Sequence, residues 1–369
     1  MADATTVSKS AEVFALLAKL GEVGEGSLAP VMVSIPEPPR NWLHPWEPDF
    51  VDGYDFGHGV TLADITSAYY AGENISLVGH AGNGKSTIAF HLADQANEKV
   101  RAFNCKTYAA NREKAAKGVA DKDLDPYKSL SYPVTHYGCH EGMRSEEMVG
   151  SITLKHLDDG TRMPVEVPGC VTKAWEGGHT LIMDEVDLGN PGVFGQIHQF
   201  LDGRTYETEV YINGPRTVVK HPKFRCIATM NTRGQGEDAM QYAGTQPLNA
   251  AFMSRFNFIV EVGWLKADVE HALVIKKTGI PKDLLTTMTT IVEKTRSEYA
   301  TGNITMPIST RTLLAWARMT VRKIKDLGGT LSFRDMWDKA AVPSAYPSFI
   351  ERIADVTTKS MYTNLFRVL

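Results

Sequence analysis

The sequence predicts an α/β fold: a parallel sheet sandwiched by helices and carrying β-hairpin insertions, followed by a small all-α domain. Three observations carry that prediction. The apolar run Ile75 to Val78 enters a glycine-rich loop and leaves it in the apolar-periodic run Ile88 to Leu92, which is G-x-x-x-x-G-K-[ST] in a strand–loop–helix setting. A second continuous apolar run, Thr180 to Met183, ends in the adjacent carboxylates Asp184 and Glu185, as a strand buried on both faces does where it opens onto a site. From about Ala267 onward apolar residues recur at helical spacing.

The loop comprises Gly79, His80, Ala81, Gly82, Asn83, Gly84, Lys85, Ser86 and Thr87. Its glycines let the backbone curl so that N–H groups point at phosphate oxygens, and the following helix adds its positive end. Lys85 suits the β- and γ-phosphates as a point charge, and the Ser86 hydroxyl suits Mg²⁺. The implied ligand is a nucleoside triphosphate with Mg²⁺. The alternative, a glycine turn that merely joins strand to helix, explains neither Lys85 nor Ser86.

Before the loop, Val13, Leu16, Leu17 and Leu20 recur at helical spacing. From Pro30 to Pro48 six prolines interleave with Trp42 and Trp46, which reads as an extended arm lying on a neighbouring subunit or on its own domain. A helical pattern resumes from Val60 to Tyr70. After the loop helix, residues 95–128 break the apolar rhythm and read as an insertion. Its basic residues Lys106, Arg112, Lys114 and Lys117 mark a solvated charged helix or a docking or nucleic-acid surface.

Tyr132 to Tyr137 reads as the next core strand. His136, Cys139 and His140 at its end suggest a metal site only weakly, since no fourth ligand accompanies them; a polar strand edge is the simpler account. Two hairpins are predicted, at 151–168 around Asp159-Gly160 and at 205–220 around Asn213-Gly214, with Tyr206 and Tyr211 on the second suited to a partner in a ring pore. A helix from Cys170 to Trp175 lies between the first hairpin and the carboxylate strand.

In a parallel α/β sheet, ligands bind at the carboxyl ends of the strands. Asp184 therefore stands beside the phosphates to position Mg²⁺, and Glu185 to orient the attacking water. Alone, an apolar run ending in Asp-Glu is more often a surface turn. A further apolar strand, Phe224 to Met230, ends in Asn231, whose amide suits the γ-phosphate or that water. Arg255 precedes a last strand, Phe258 to Val262, and Arg311 opens a helix reaching Ile324. Arginine clamps developing phosphate charge well, although a solvated surface position is the default for either one.

Composition excludes several classes. Hydrophobic residues are 43% and charged residues 22%, the proportions of a globular protein. No run has the length and apolarity of a membrane span, and no basic-then-apolar leader pattern begins the chain, which predicts a cytoplasmic location and no membrane partner. Cys105, Cys139, Cys170 and Cys226 form no C-x-x-C pair and read as reduced thiols. A formal net charge of −4 gives no global attraction to a polyanion, so nucleic acid is an unlikely partner.

In its order of glycine loop, Asp-Glu strand, strand-end Asn, Arg-Phe pair and Ser-Thr-Arg helix, the sequence resembles the AAA+ ATPases, and within them the MoxR clade with its two hairpin insertions. It most resembles the ATPase-subunit type of aerobic cobaltochelatase, the CobS type. That closer likeness rests on His221-Pro222, Phe224-Arg225, Ala228-Thr229, Asn231-Thr232, Gly234, Gly236, Tyr242, Gly244-Thr245-Gln246, Asn249, Met253, Arg255 and Asn257, resuming at Ser309, Arg311-Thr312 and Trp316-Ala317.

The resemblance implies that Lys85 and Ser86 form Walker A, Asp184 and Glu185 Walker B, and Asn231 sensor 1. It makes Arg255 the finger that reaches a neighbouring subunit's nucleotide, and Arg311 the sensor 2 arginine of the same subunit. It further implies a homo-oligomeric, hexameric ring and a partner with a von Willebrand A domain. The 95–128 segment and the Pro/Trp arm do not belong to that pattern, and the last 40 residues match it loosely.

The predicted organisation is an N-terminal helix and Pro/Trp-rich arm (1–58), an AAA+ nucleotide-binding domain (59–264) and a helical lid (265–369). Its lid helices are Ala267 to Lys277, Lys282 to Tyr299, Thr310 to Ile324 and Phe349 to Phe366, with Arg318, Arg322, Lys323 and Lys325 on a solvated face. The expected function is an ATP-hydrolysing ring motor that remodels a partner protein. Alternatives are a cobaltochelatase subunit, a nucleic-acid motor working through the basic segment, and a non-hydrolysing nucleotide-gated scaffold, against which Glu185, Asn231 and both arginines argue.

Overall fold

The structure, a computed structural model, describes residues 38–48, 50–156, 160–202, 207–212, 214–232 and 244–368, without side-chain placement for 207–212, 214–217 and 367–368. The predicted helix around Leu16, together with Asp159, Tyr206, Asn213, Gly234, Gly236 and Tyr242, lies outside the described residues, and so does the side chain of Tyr211. The chain divides into two compact units. One joins Phe90–Pro133 to the segment ending at Pro48, and the other joins Asp49–Ala89 to Val134–Leu369.

The larger unit is built on a five-stranded sheet of β1 (Ile75–Val78), β2 (Val134–Gly138), β5 (Thr180–Asp184), β8 (Arg225–Met230) and β9 (Phe258–Glu261), in the order β2-β5-β8-β1-β9. Every pairing in it is parallel. The central strands β1 and β8 are buried throughout, whereas β2 at one edge is only partly covered. That gradient explains why the central strands read as unbroken apolar runs. Because β1, β5 and β8 run the same way, the glycine loop, Asp184-Glu185 and Asn231 all emerge at one end of the sheet.

Two antiparallel hairpins interrupt the sheet connections. One is β3 (Gly150–His156) with β4 (Arg162–Pro168), the other β6 (Glu207–Ile212) with β7 (Gly214–Val219). They occupy the predicted positions. The helix Cys170–Gly177 puts Trp175 into the core against Phe200 and Phe224, with ring centroids at 5.4 and 5.2 Å.

The C-terminal helices Ala267–Thr278, Lys282–Ala300 and Thr310–Leu327 bury a second core around Trp316, whose indole nitrogen donates to the Ala341 carbonyl at 2.8 Å. The predicted helix Phe349 to Phe366 is not continuous. Pro347 closes the short helix Val342–Ser348, a 3-10 turn follows at Ile350–Arg352, and the last helix, Val356–Val368, starts afresh. Asp355 caps it, accepting from the Thr358 and Thr357 N–H groups at 2.7 and 3.3 Å.

The segment 95–128, where the apolar rhythm breaks, begins as a continuation of the loop helix. One helix runs without interruption over Lys85–Ala116. Within the smaller unit it buries a ladder of asparagines, Asn97, Asn104 and Asn111, each at most 1% exposed. Each side chain pairs with one backbone unit of the returning chain. The amide of Asn97 donates to the Tyr132 carbonyl at 2.7 Å and its oxygen accepts from the Tyr132 N–H at 2.9 Å. Asn104 repeats the pattern with Lys128, at 2.9 Å both ways, and Asn111 with Asp125, again at 2.9 Å.

Asp94 completes this face. It pairs with Arg101 at 2.8 Å and accepts from the Trp46 and Glu47 N–H groups at 3.1 and 2.8 Å. Residues 40–43 of the Pro/Trp segment are helical rather than extended, and the segment lies on this chain's own helix. The predicted basic residues Lys106, Arg112 and Lys117 are exposed, and Lys114 is paired to Asp125 at 2.7 Å.

Candidate nucleotide site

The glycine loop takes a backbone path that side chains would obstruct. Gly82 has φ +81 and Gly84 φ +98. A Cβ on Gly82 would lie 2.6 Å from the Ser309 hydroxyl, and one on Gly84 would overlap the Tyr54 ring. Asn83, 2% exposed, ties the loop to the end of β9 through the Val262 carbonyl. The cradle is thus pinned from the strand side and from the lid side together.

At its base Lys85, 7% exposed, donates to the Gly79 carbonyl at 2.6 Å, the His80 carbonyl at 2.9 Å and Asn231 Oδ1 at 3.0 Å. Burial lowers the Lys85 ammonium to about 8 against the opposing pull of Asp187 and Asp184, with the Arg311 charge adding to the depression. Three sequence-separated residues, Lys85, Asn231 and Arg311, therefore share one electrostatic neighbourhood.

Ser86 Oγ donates to Asp184 at 2.9 and 3.1 Å, and Thr229 Oγ1 donates to the same carboxylate. His136 Nε2 stands 3.6 Å from Asp184 Oδ2. Burial pushes the Asp184 carboxyl up, but hydrogen bonds from His136, Thr229 and Ser86 outweigh it and hold the group at about 2. A hydroxyl beside an ionised carboxylate is a hard oxygen donor set, and it fits Mg²⁺. Among the described residues no cluster of three or more His, Cys, Asp or Glu has metal-binding geometry, so His136, Cys139 and His140 make no metal centre of their own.

Glu185 is exposed and adopts left-handed backbone angles, φ 56 and ψ 48. Its N–H donates to Thr229 Oγ1 at 3.1 Å. A non-glycine residue in that region stores strain, and here it falls at the turn that leaves β5. His80 stacks on Trp264 with centroids 5.5 Å apart and meets Tyr299 edge-on at 4.8 Å. Arg296 lies over the other partner in that stack, 4.3 Å from the Trp264 centroid.

Arg311 opens the helix Thr310–Leu327, which is capped by Ser309, and its N–H faces the Gly82 carbonyl at 3.4 Å. Arg255 is placed differently. Its guanidinium pairs with Asp202 at 2.7 Å at the surface of its own subunit, 22% exposed. The structure therefore gathers Lys85, Ser86, Asp184, Glu185, Asn231 and Arg311 and leaves Arg255 outside that group.

Two contributors were given no role at the site from the sequence. Thr229 counts there only toward the family likeness, since a threonine inside an apolar strand does not show its partner. Asp187 is fully buried, and its Oδ2 accepts from the Asn231 N–H at 2.8 Å, the Thr232 N–H at 2.8 Å and the Thr232 hydroxyl at 3.1 Å. Its only sequence signal is its position three residues after Asp184.

Residues 127–256 match the AAA domain family of the dynein-related subfamily, and residues 270–327 match the CbbQ/NirQ/NorQ C-terminal family. The first range holds Asp184, Glu185, Asn231 and Arg255, and the second holds Arg311. The chain is an AAA+ ATPase. Within that class it is of the MoxR type and similar to the aerobic cobaltochelatase subunit CobS of a Sinorhizobium species, 26% identical over 275 residues that cover 73% of this chain and 71% of that one.

An uncharacterised protein of Staphylococcus saprophyticus is 24% identical over 222 residues, covering 60% of this chain and 67% of its own. Among solved structures, a variant of Thermotoga maritima RuvB aligns with a TM-score of 0.43 at 9% identity, covering 81% of this chain and 70% of that one. No helix among the described residues is long and apolar enough to cross a membrane.

Proposed function

We propose that the chain is one subunit of a homo-oligomeric, hexameric ring that hydrolyses Mg-ATP at subunit boundaries and uses the cycle to remodel a partner protein. The observation that carries the reading is the division of the site. Lys85, Ser86, Asp184, Glu185, Asn231 and Arg311 converge in one subunit, while Arg255 is held at the surface by Asp202.

In this reading Lys85 and the loop N–H groups bind the β- and γ-phosphates, Glu185 orients the attacking water, and Asn231 fixes that water or the γ-phosphate. Mg²⁺, held through Ser86 and Asp184, would neutralise phosphate charge. Arg311 reports nucleotide to the lid, and Arg255 of the next subunit leaves Asp202 to complete the clamp. Such an arginine is worth about 10³–10⁵ in rate. Arg255→Ala should therefore cut the turnover of assembled rings by at least about 100-fold while ATP still binds. Unchanged turnover would remove the boundary site from the proposal.

A second reading, favoured by the 26% identity to CobS, makes the chain the ATPase subunit of a chelatase that inserts metal into a corrinoid, with a von Willebrand A-domain protein as its partner. Affinity capture with Glu185→Gln and ATP separates the two: a corrinoid-binding subunit in the trapped complex supports the chelatase, and an unrelated client supports the general remodeller.

A further inference from the structure

Asp187 sits in the 3-10 turn Val186–Leu188, immediately after Glu185, and is 0% exposed. The left-handed backbone of Glu185 folds this turn back, closed by the Leu188 N–H on the Glu185 carbonyl at 2.9 Å. One oxygen of Asp187 gathers three donors, all on Asn231 and Thr232, the two residues that leave β8. Three donors on one oxygen is the coordination expected of an ionised carboxylate. The other oxygen, equally buried, has no hydrogen-bond partner. The carboxylate's hydrogen bonds thus all go to the chain that carries Asn231.

The main chain of Asp187 makes a further tie. Its carbonyl accepts from the Gln246 N–H at 2.8 Å, three residues before Asn249 caps the short helix Ala250–Met253 that leads to Arg255. A single buried residue is bonded to the exit of β8 and to the approach to Arg255, and it lies two residues after Glu185.

We infer that Asp187 is a positioning residue for ATP hydrolysis. It holds the backbone of Asn231 so that the side-chain amide stays in register with Lys85, 3.0 Å away, and with Glu185, two residues before Asp187. Asp187 acts through Asn231 and does not reach the nucleotide. The inference rests on the reading of Asn231 as the residue that meets the γ-phosphate or its water.

The test compares Asp187→Asn, Asn231→Ala and the double variant in the full-length assembled protein, with steady-state hydrolysis, binding of a fluorescent ATP analogue and thermal melting read in parallel. Asp187→Asn keeps the volume and removes the charge that three donors share. Displacement of a positioned group by about 1 Å costs on the order of 100-fold, so kcat should fall about 10- to 100-fold with Kd within about threefold of wild type. On the Asn231→Ala background the same change should cost no more than about twofold further, since residues acting as a unit are not additive.

A parallel loss of binding and melting temperature, or a fully additive double variant, overturns the inference by reducing Asp187 to a structural anchor. If Asn231→Ala leaves kcat unchanged, the reading of Asn231 falls and takes this inference with it. If Asn231→Ala slows turnover and Asp187→Asn does not, only the inference falls. Should Asp187→Asn fail to fold, Thr232→Val removes one donor without burying a new polar group. It is then expected to lower kcat about two- to fivefold at unchanged Kd, and no change overturns the proposal.

Discussion

Arg296 grips Glu270 with both arms of its guanidinium, Nη1 to Oε2 at 2.9 Å and Nη2 to Oε1 at 2.8 Å, in a pair whose side chains are 10% and 3% exposed. Thr310 donates to the same carboxylate, and Arg296 Nε donates to the Ile308 carbonyl at 3.0 Å. The pair therefore fixes the start of the helix that carries Arg311, and through Trp264 it touches His80 of the glycine loop. Breaking a buried pair by removing one partner typically costs about 3–5 kcal/mol. Arg296→Leu is expected to destabilise the chain by that order in urea unfolding. A loss below about 1 kcal/mol would mean that Glu270 finds water in the variant.

Glu185 combines a chemical role with a strained backbone, and the two separate by substitution. Glu185→Gln should bind ATP normally and lose at least about 100-fold in hydrolysis, the scale of a lost general base. Glu185→Gly should be equally inactive yet melt higher, because glycine relieves a left-handed conformation worth roughly 1–2 kcal/mol. A lower melting temperature for the glycine variant would show that the side chain stabilises the turn.

The asparagine ladder predicts an unusual sensitivity on a helix rich in charge. Asn104→Ala orphans the N–H and carbonyl of Lys128, and at about 1–3 kcal/mol for a buried group left unpaired the loss should be about 2 kcal/mol or more. Lys106→Ala, two residues on and exposed, should stay within about 0.5 kcal/mol. Limited proteolysis between residues 117 and 133 offers a local readout, with faster cutting expected in Asn104→Ala alone.

His91 gives a pH dependence. Burial lowers its imidazole to about 4, from an ordinary value of 6.5. The unfolded chain therefore binds this proton more readily between those values. The full contribution of neutral His91 is present above about pH 6.5, declines as pH falls towards 4, and is lost below that. Denaturation midpoints for His91→Gln should be flatter than wild type across that window, and parallel curves would refute the assignment.

Most of the site was legible in the sequence because its parts sit at the ends of strands that are buried on both faces. Gly79, Asp184 and Asn231 each terminate an apolar run, and a parallel sheet brings such ends together. The helix from Lys85 was legible by apolar spacing only as far as Leu92, and its charged continuation read as a separate helix, because it buries Asn97, Asn104, Asn111 and the Asp94–Arg101 pair where apolar residues would have marked a face. Asparagine satisfied by backbone 14 to 35 residues away leaves no local signature. Asp187 was hidden for the same reason, since its donors are mostly main-chain groups. The broken C-terminal helix follows from Pro347 and the Asp355 cap, weak signals inside a periodic apolar pattern.

Along the ladder, two kinds of backbone are measured against each other. Asn97 and Asn111 are 14 residues apart on a helix that rises 1.5 Å per residue, about 21 Å. Their partners Tyr132 and Asp125 are seven residues apart, about 23 Å of extended chain at roughly 3.3 Å per residue. One heptad of helix thus matches three or four residues of the returning segment, and each rung closes only while that proportion holds. Inserting or deleting one residue between Asn97 and Asn111 would swing the later rungs about 100° around the helix. Related sequences should accordingly vary freely in charge along this helix and hardly at all in its length.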